Sequence, residues 1–311
     1  MRIVLADPRG FCAGVEMAID TVAEAVRLIG TPLYVYHEIV HNRHVVDRFV
    51  KEGVIFVDHI DEVPAGSTVI FSAHGVSPDV RNSAKARGCT LIDATCPLVT
   101  KVHMEAVRYA EQGFKILLIG HAGHDEVVGT VGEAPNAITI VESPQDVESL
   151  TFGPDEKLVY LTQTTLSVDD ANAIIGAINK KYPNVKEPPT EDICYATTNR
   201  QIAVRKLATD VDLALVVGSK NSSNSLRLTE IAEHIGTRSY LIDDKSEVKW
   251  KWFEGVKAVL VTAGASAPEY LVQDIINELV EKYEGEVDEQ HVVEEEMDFA
   301  LPLSLRVLQQ N

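Results

Sequence analysis

Short apolar runs alternate with stretches of helical period along most of the chain. Residues 2–6 are apolar enough for a buried strand. Residues 14–29 then set Val15, Ala18, Ile19, Val22, Val26 and Ile29 at the spacing of one helix face, with Gly30 as the stop. Strands are predicted at 33–36, 54–57, 68–71 and 90–92, with helices over 43–51 and from the Ser77-Pro78 start to about 87. The grammar then repeats. A helix spans about 97–112, strands 116–119, 138–141 and 158–161 follow, and Ser167 with Asp170 three residues on opens a helix ending near Tyr182. A polar connector, 183–189, leads to a third round. It comprises helix 197–209, strand 213–217, a helix to His234, strands 239–242 and 258–261, and a helix opened by Pro268 that runs to about Tyr283.

Strand, loop and helix in alternation predict parallel sheets covered by helices. Cys12, Cys96 and Cys194 punctuate this alternation at matching strand-to-helix junctions, and each interval holds two apolar strands ending in small or polar residues. The expected architecture is therefore α/β, built from three similar parallel-sheet units: residues 14–96, residues 97–193, and residues 1–13 together with 194–283. In such sheets ligands bind beyond the carboxyl ends of strands, beside helix N-termini. Six loops, two per unit, are thus candidates to face one centre. Residues 284–311 hold the run Glu294-Glu295-Glu296 and an apolar segment at 299–305, and read as an acidic tail or a docked arm.

Composition narrows the function. A chain of 311 residues, 45% hydrophobic and 24% charged, is long enough for two or three domains with a buried core. A formal net charge of −19 argues against nucleic-acid or anionic membrane surfaces, yet leaves room for a small anionic ligand held by local donors. No apolar run approaches the ~20 residues of a membrane span. Asp7 and Pro8 interrupt the first apolar run too early for a secretory signal, so a cytoplasmic location is expected. Four cysteines there point to metal or redox chemistry rather than disulfides.

The candidate residues follow from position. One cysteine in a core is ordinary packing, and Cys89, at a strand start, reads that way. Three at matching junctions point to a shared metal or cluster. Three thiolates can hold zinc with a fourth ligand, or a [4Fe–4S] cluster with one iron open; zinc ligands usually come at short local spacings, so convergence from three units suits the cluster. His41, His74 and His124 fall in strand-end loops, where imidazoles can donate to phosphate oxygens, whereas His37, His44, His103 and His121 read as ordinary neighbours. Ser222, Ser223, Asn224 and Ser266 are helix caps by default. The run Ser219-Lys220-Asn221-Ser222-Ser223-Asn224-Ser225 nevertheless has more donors than one cap uses, as an anion site would. Glu126, in a loop rich in Gly and His, is either a solvated first-turn carboxylate or a proton donor whose pKa burial raises.

At these residues the sequence resembles a known family. The segments Arg9-Gly10-Phe11-Cys12-Ala13-Gly14, His41-Asn42-Arg43, Ser72-Ala73-His74-Gly75-Val76-Ser77, the run 93–103 around Cys96, and Gly120-His121-Ala122-Gly123-His124 carry the resemblance. So do Thr162-Gln163-Thr164-Thr165-Leu166-Ser167, the run 192–201 around Cys194, the run 217–225, and Thr262-Ala263-Gly264-Ala265-Ser266-Ala267-Pro268. Together they resemble the LytB family, the 4-hydroxy-3-methylbut-2-enyl diphosphate reductases of the methylerythritol phosphate route to isoprenoids. The resemblance implies three α/β units in a pseudo-threefold arrangement around a central [4Fe–4S] cluster. It implies Cys12, Cys96 and Cys194 as ligands, with one iron open to the hydroxymethyl oxygen of the substrate. It places His41, His74, His124, Ser222, Ser223, Asn224 and Ser266 around the substrate, mainly its diphosphate, and Thr164 and Glu126 at the hydroxyl and the proton delivery. The implied reaction is reductive dehydroxylation of an allylic diphosphate, with electrons from a ferredoxin or flavodoxin. Two other classes stay open at this stage: an iron–sulfur hydro-lyase, and a non-catalytic protein holding a zinc ion.

Overall fold

The computed structural model describes residues 1–309. In chain order it opens with β1 (Arg2–Asp7), α1 (Ala13–Ile29), β2 (Leu33–Tyr36), α2 (Arg43–Lys51), β3 (Val54–Val57) and β4 (Thr68–Phe71). Then come α3 (Pro78–Ala86), β5 (Thr90–Asp93), α4 (Pro97–Glu111), β6 (Lys115–Ile119) and α5 (Asp125–Glu133). Next are β7 (Ile138–Val141), α6 (Pro144–Ser149), β8 (Leu158–Thr162), α7 (Val168–Lys181) and α8 (Tyr195–Leu207). The chain closes with β9 (Leu213–Val217), α9 (Ser223–Ile235), β10 (Arg238–Ile242), β11 (Ala258–Ala263), α10 (Glu269–Tyr283), β12 (Glu286–His291) and α11 (Leu303–Gln309). Several starts obey their local chemistry. Ser77 Oγ accepts from the Val80 N–H ahead of Pro78, Ser167 Oγ from that of Asp170, and Ser222 Oγ from that of Ser225.

The strands form three all-parallel sheets that share one order. They run β3-β2-β4-β5, then β7-β6-β8, then β10-β9-β11-β1-β12. The second has no fourth strand, but a parallel bridge between Val159 and Lys186 stands where β5 and β1 stand in the others. In each sheet the chain reverses its direction of growth between two adjacent strands: β2 and β4, β6 and β8, β9 and β11. Such reversals open a crevice at the carboxyl ends of the two strands.

Both faces of these sheets are covered, which is why the strands read as continuous apolar runs. All five residues of β8 and of β9 are buried. Period-two alternation divides them between layers. Ile3, Leu5, Leu213 and Leu215 pack towards Val272, Ile275 and Leu279 of α10, while Val4, Ala6, Ala214 and Val216 pack towards α8 and α9. In the same way Leu117 and Ile119 face α6 and α7, while Ile116 and Leu118 face α4 and α5.

The chain divides into two compact units: Met1–Val15, His41–Val45 and Tyr195–Asp298; and Glu16–Val40, Val46–Cys194 and Phe299–Asn311. The first holds the five-stranded sheet and the second the other two. Residues 286–291, read from their charge as tail or arm, form the edge strand β12, paired in parallel with β1 along its whole length. Its acids meet arginines: Asp288 pairs with Arg2 at 3.0 Å and Glu289 with Arg9 at 2.7 Å. In the second unit the apolar segment docks through α11, where Leu305 is fully buried and Gln309 Nε2 donates to Glu24 Oε1 at 2.8 Å.

Candidate active site

Cys12, Cys96 and Cys194 each occupy the residue immediately before a helix: α1, α4 and α8. Each also donates its N–H to the loop that follows the strand on the far side of its sheet's switch point. Cys12 N–H reaches Ala265 O after β11 at 3.2 Å, Cys96 N–H reaches Ala73 O after β4 at 3.0 Å, and Cys194 N–H reaches Thr164 O after β8 at 3.0 Å. The repeated tie joins each cysteine's backbone to a loop that carries a candidate substrate residue: Ser266, His74 and Thr164 itself. All three cysteines are partly exposed and none is in a disulfide. The partial positive charge of a helix N-terminus favours a thiolate. Burial pushes the Cys12 thiol up, and the Arg200 guanidinium and the N–H groups of Val15 and Gly14 pull it back. Partly exposed thiols at helix starts are the donor chemistry that an iron–sulfur cluster takes. Cys89 lies at the amino end of β5, with its Sγ 4.0 Å from Pro64 O, and packs beside the core there, as expected.

In the unit that carries β2 to β8, Glu126 stands in the first turn of α5 and is 2% exposed. Its Oε1 accepts the Thr164 N–H at 2.6 Å, and its Oε2 meets the Thr164 hydroxyl at 2.9 Å. Burial pushes its pKa up to about 7, against the two bonds from Thr164. With the carboxyl neutral, Oε2–H can donate to Thr164 Oγ in place of the bond from the hydroxyl, so the same pair can hold a proton at either oxygen. Gly120 admits this arrangement, because a Cβ there would lie 2.8 Å from Val127 Cγ2 on α5. His124 caps α5, accepting the Glu126 N–H at Nδ1 (3.2 Å). That bond leaves Nε2 as the donor nitrogen of a neutral ring. His74 meets His124 edge to face with ring centroids 6.0 Å apart, and its Nδ1 lies 3.4 Å from Ser72 Oγ.

In the unit that carries β1 and β9 to β12, the start of α9 is pressed into the crevice between β9 and β11. A Cβ on Gly218 would lie 2.2 Å from Ser225 Oγ, and one on Gly264 would lie 2.0 Å from it, so only glycine lets the helix this close. Ser222 Oγ lies 3.1 Å from Ser225 Oγ and 3.4 Å from Ser266 Oγ, and Ser266 Oγ donates to His41 O at 3.0 Å. Asn224 is 3% exposed, and among the described residues neither its Oδ1 nor its Nδ2 has a hydrogen-bond partner. A buried primary amide costs energy unless something pairs with it. At a helix N-terminus lined with hydroxyls, an anion could accept from Nδ2, while Oδ1 would need a donor.

Within each unit the structure gathers the residues singled out from sequence. His74, His124, Glu126 and Thr164 cluster with the backbone ties of Cys96 and Cys194. Ser222, Ser223, Asn224 and Ser266 cluster with His41. Sequence reading did not single out Arg200, which is fully buried on α8. Its guanidinium donates to Gly10 O at 2.8 Å, Phe11 O at 3.4 Å, Ala196 O at 3.0 Å and Glu295 Oε1 at 3.0 Å, bracing the loop of Cys12. It also passed over Asp192, which accepts from Lys101 Nζ at 2.5 Å and from the Thr162 N–H at 2.9 Å. A cation six residues after a junction cysteine was the one signal available for Arg200.

Known proteins resemble this chain along nearly its whole length. Residues 3–280 match the family described as "LytB protein". A 4-hydroxy-3-methylbut-2-enyl diphosphate reductase of Rhodopirellula baltica is 55% identical over 306 residues, covering 98% of this chain and 96% of that protein. The reductase of the same name from Escherichia coli is 54% identical over 310 residues, covering 99% of this chain and 98% of that one. Among solved structures, the E-1-hydroxy-2-methyl-but-2-enyl-4-diphosphate reductase of Plasmodium falciparum superposes with a TM-score of 0.98 at 39% identity, over 99% of this chain and 98% of that one. Sheets of one repeated order, three cysteines at equivalent helix starts and this likeness along nearly the whole length lead to one assignment: the chain belongs to the LytB family.

Proposed function

We propose that the chain reduces (E)-4-hydroxy-3-methylbut-2-enyl diphosphate to isopentenyl and dimethylallyl diphosphate, the last step of the non-mevalonate route to isoprenoids. One observation carries the chemistry beyond family likeness. Glu126 is a buried carboxyl whose pKa of about 7 keeps it substantially protonated at neutral pH, hydrogen-bonded to a threonine whose carbonyl holds Cys194. That is the arrangement a general acid needs. Cys12, Cys96 and Cys194 would hold a [4Fe–4S] cluster with one iron lacking a protein ligand. When bound, this group supplies single electrons and a Lewis-acidic iron.

The protein does the rest. Asn224, with the hydroxyls of Ser222, Ser223 and Ser266 and the α9 N-terminus, takes the diphosphate, joined by His41, His74 and His124 as imidazole donors. Holding the remote anion orients the hydroxymethyl end, so binding energy is spent on position. Glu126, through Thr164, gives the proton with which the hydroxyl leaves as water. Two electrons and a second proton complete the balance, and the site of that proton on the allyl carbons decides which product forms. A ferredoxin or flavodoxin supplies the electrons.

Anaerobic assay tests this directly. Protein purified without oxygen should contain iron and sulfide and turn over the allylic diphosphate only when a one-electron donor is present. Cys96→Ser should lose most of the iron and all measurable turnover. Turnover with no electron source, or an iron content unchanged by Cys96→Ser, would sink the reading.

A further inference from the structure

One imidazole stands apart from the groups above. His37 follows β2 with φ +57°, a left-handed conformation that side chains disfavour. Its ring stacks on Tyr36, with centroids 4.2 Å apart and planes 15° apart. Nδ1 lies 2.9 Å from Asp125 Oδ1, and Nε2 lies 3.1 Å from the carbonyl oxygen of Asp58. Both partners are acceptors. A neutral imidazole carries one N–H and satisfies only one of them; the imidazolium donates to both. The groups facing the ring are Asp125 from α5, Asp58 from the turn after β3, and Tyr36 beside it. The hydrogen bond to Asp125 holds the His37 pKa above its ordinary value, with burial opposing and Asp58 assisting, while burial and the two aspartates raise that of Tyr36.

Asp125 is the first residue of α5, flanked by His124 and Glu126. One of its carboxylate oxygens also lies within 4.8 Å of a ring nitrogen of His74. An exposed ion pair alone would contribute little. Here a residue in a disfavoured backbone conformation makes two directional bonds, one to the turn after β3 and one to the turn that carries the proposed acid, and strain of this kind is expected where it serves a site.

We propose that His37 is a positioning residue of this site: clamped between Asp125 and the Asp58 carbonyl, it anchors the first turn of α5 and thereby sets His124 and Glu126. The proposal rests on the reductase reading of that site. The clasp is complete below the folded-state pKa of His37 and is lost as pH rises through it.

Two variants test it. His37→Asn removes both ring bonds yet keeps a residue that tolerates the left-handed region. Asp125→Asn removes the charge partner and leaves the backbone alone. Each should lower kcat/KM for the allylic diphosphate about tenfold or more, as displaced catalytic groups do. The double variant should be no worse than the worse single one, because both remove the same clasp. Independently of turnover, the His37 ring resonances should titrate above the ordinary value of 6.5 in the unaltered protein and move down in Asp125→Asn. A midpoint at or below that value in the unaltered protein, or losses that multiply in the double variant, overturns the proposal. Were the reductase reading itself wrong, no form of the protein would turn over this substrate, while the ring titration would still report on the clasp.

Discussion

Glu126→Gln should leave the iron content unchanged and lower kcat by about 10²–10⁴-fold, the usual contribution of a positioned general acid. The amide keeps the carboxyl's shape and can still accept the Thr164 N–H through its oxygen, so the fold around α5 and Thr164 is retained. What disappears is the transferable proton. In the unaltered enzyme kcat should fall as pH rises through about 7, because the acid form is the active one. The variant should lack that limb. A Glu126→Gln enzyme that keeps normal turnover, or a pH profile with the alkaline limb intact, would remove Glu126 from the proton path.

The same substitution reads out stability with a defined sign. The carboxyl of Glu126 has an ordinary value of 4.5 and a folded-state value of about 7. Between those values the folded protein binds more protons than the unfolded chain. Its contribution is therefore fully present below the ordinary value and is lost as pH rises through about 7. At pH ~8 the buried carboxylate costs about 3 kcal/mol relative to the neutral acid. Glu126→Gln should accordingly be less active but more stable at pH ~8, and close to the unaltered protein near pH ~4. Urea midpoints at the two pH values measure the difference.

Arg200→Met should destabilise the protein by about 3–5 kcal/mol, the cost of removing one member of a buried charge pair. Arg200 is fully buried, and its guanidinium serves three backbone carbonyls and the Glu295 carboxylate. Without it, Gly10, Phe11 and Ala196 lose the guanidinium donors and Glu295 loses its ion-pair partner. Arg200→Lys should recover little, since one ammonium cannot reproduce a planar fork spread over both sides of the group. Glu295→Gln should cost less than either, because the amide oxygen still accepts. Equal denaturation midpoints for Arg200→Met and the unaltered protein would show that Arg200 does not brace the Cys12 loop.

Much of the fold was legible because the chain buries its sheets on both faces. A strand such as β9 then has no wet side, and Leu213-Ala214-Leu215-Val216-Val217 announces itself. The junction cysteines were legible for a related reason: each follows such a run and precedes a helix start. Residues 286–291 were not, because Glu286-Val287-Asp288-Glu289-Gln290-His291 is mostly exposed and its partner strand lies nearly the whole chain away. Edge strands carry charge to deter further pairing, so they resemble tails. Helix α6, of six residues, was missed as well, and α5 was anticipated only in its first turn, at Glu126; α5 is capped by a histidine whose ring nitrogen does the work a serine hydroxyl usually does. For the candidate site, the side-chain types were readable and their ties were not. No sequence pattern says that the Thr164 carbonyl holds Cys194, that Asn224 lacks a partner among the described residues, or that both nitrogens of His37 face acceptors.

Strand β1 lies between β11 and β12, pairing residue by residue with segments 256 and 284 positions further along the chain. As the protein leaves the ribosome, this strand is made first and has nothing to pair with until almost everything else exists. Contacts of such long range are slow to form, because loop closure must precede any gain from pairing. The junction of Cys12 inherits that delay: its N–H bond to Ala265 and the Arg200 brace both wait for the late strands and for Glu295. The sheet of β3-β2-β4-β5, by contrast, is complete once residue 93 has emerged. Cys96 can thus be framed early and Cys12 only at the end, which gives this protein a built-in order in which its thiols become ready.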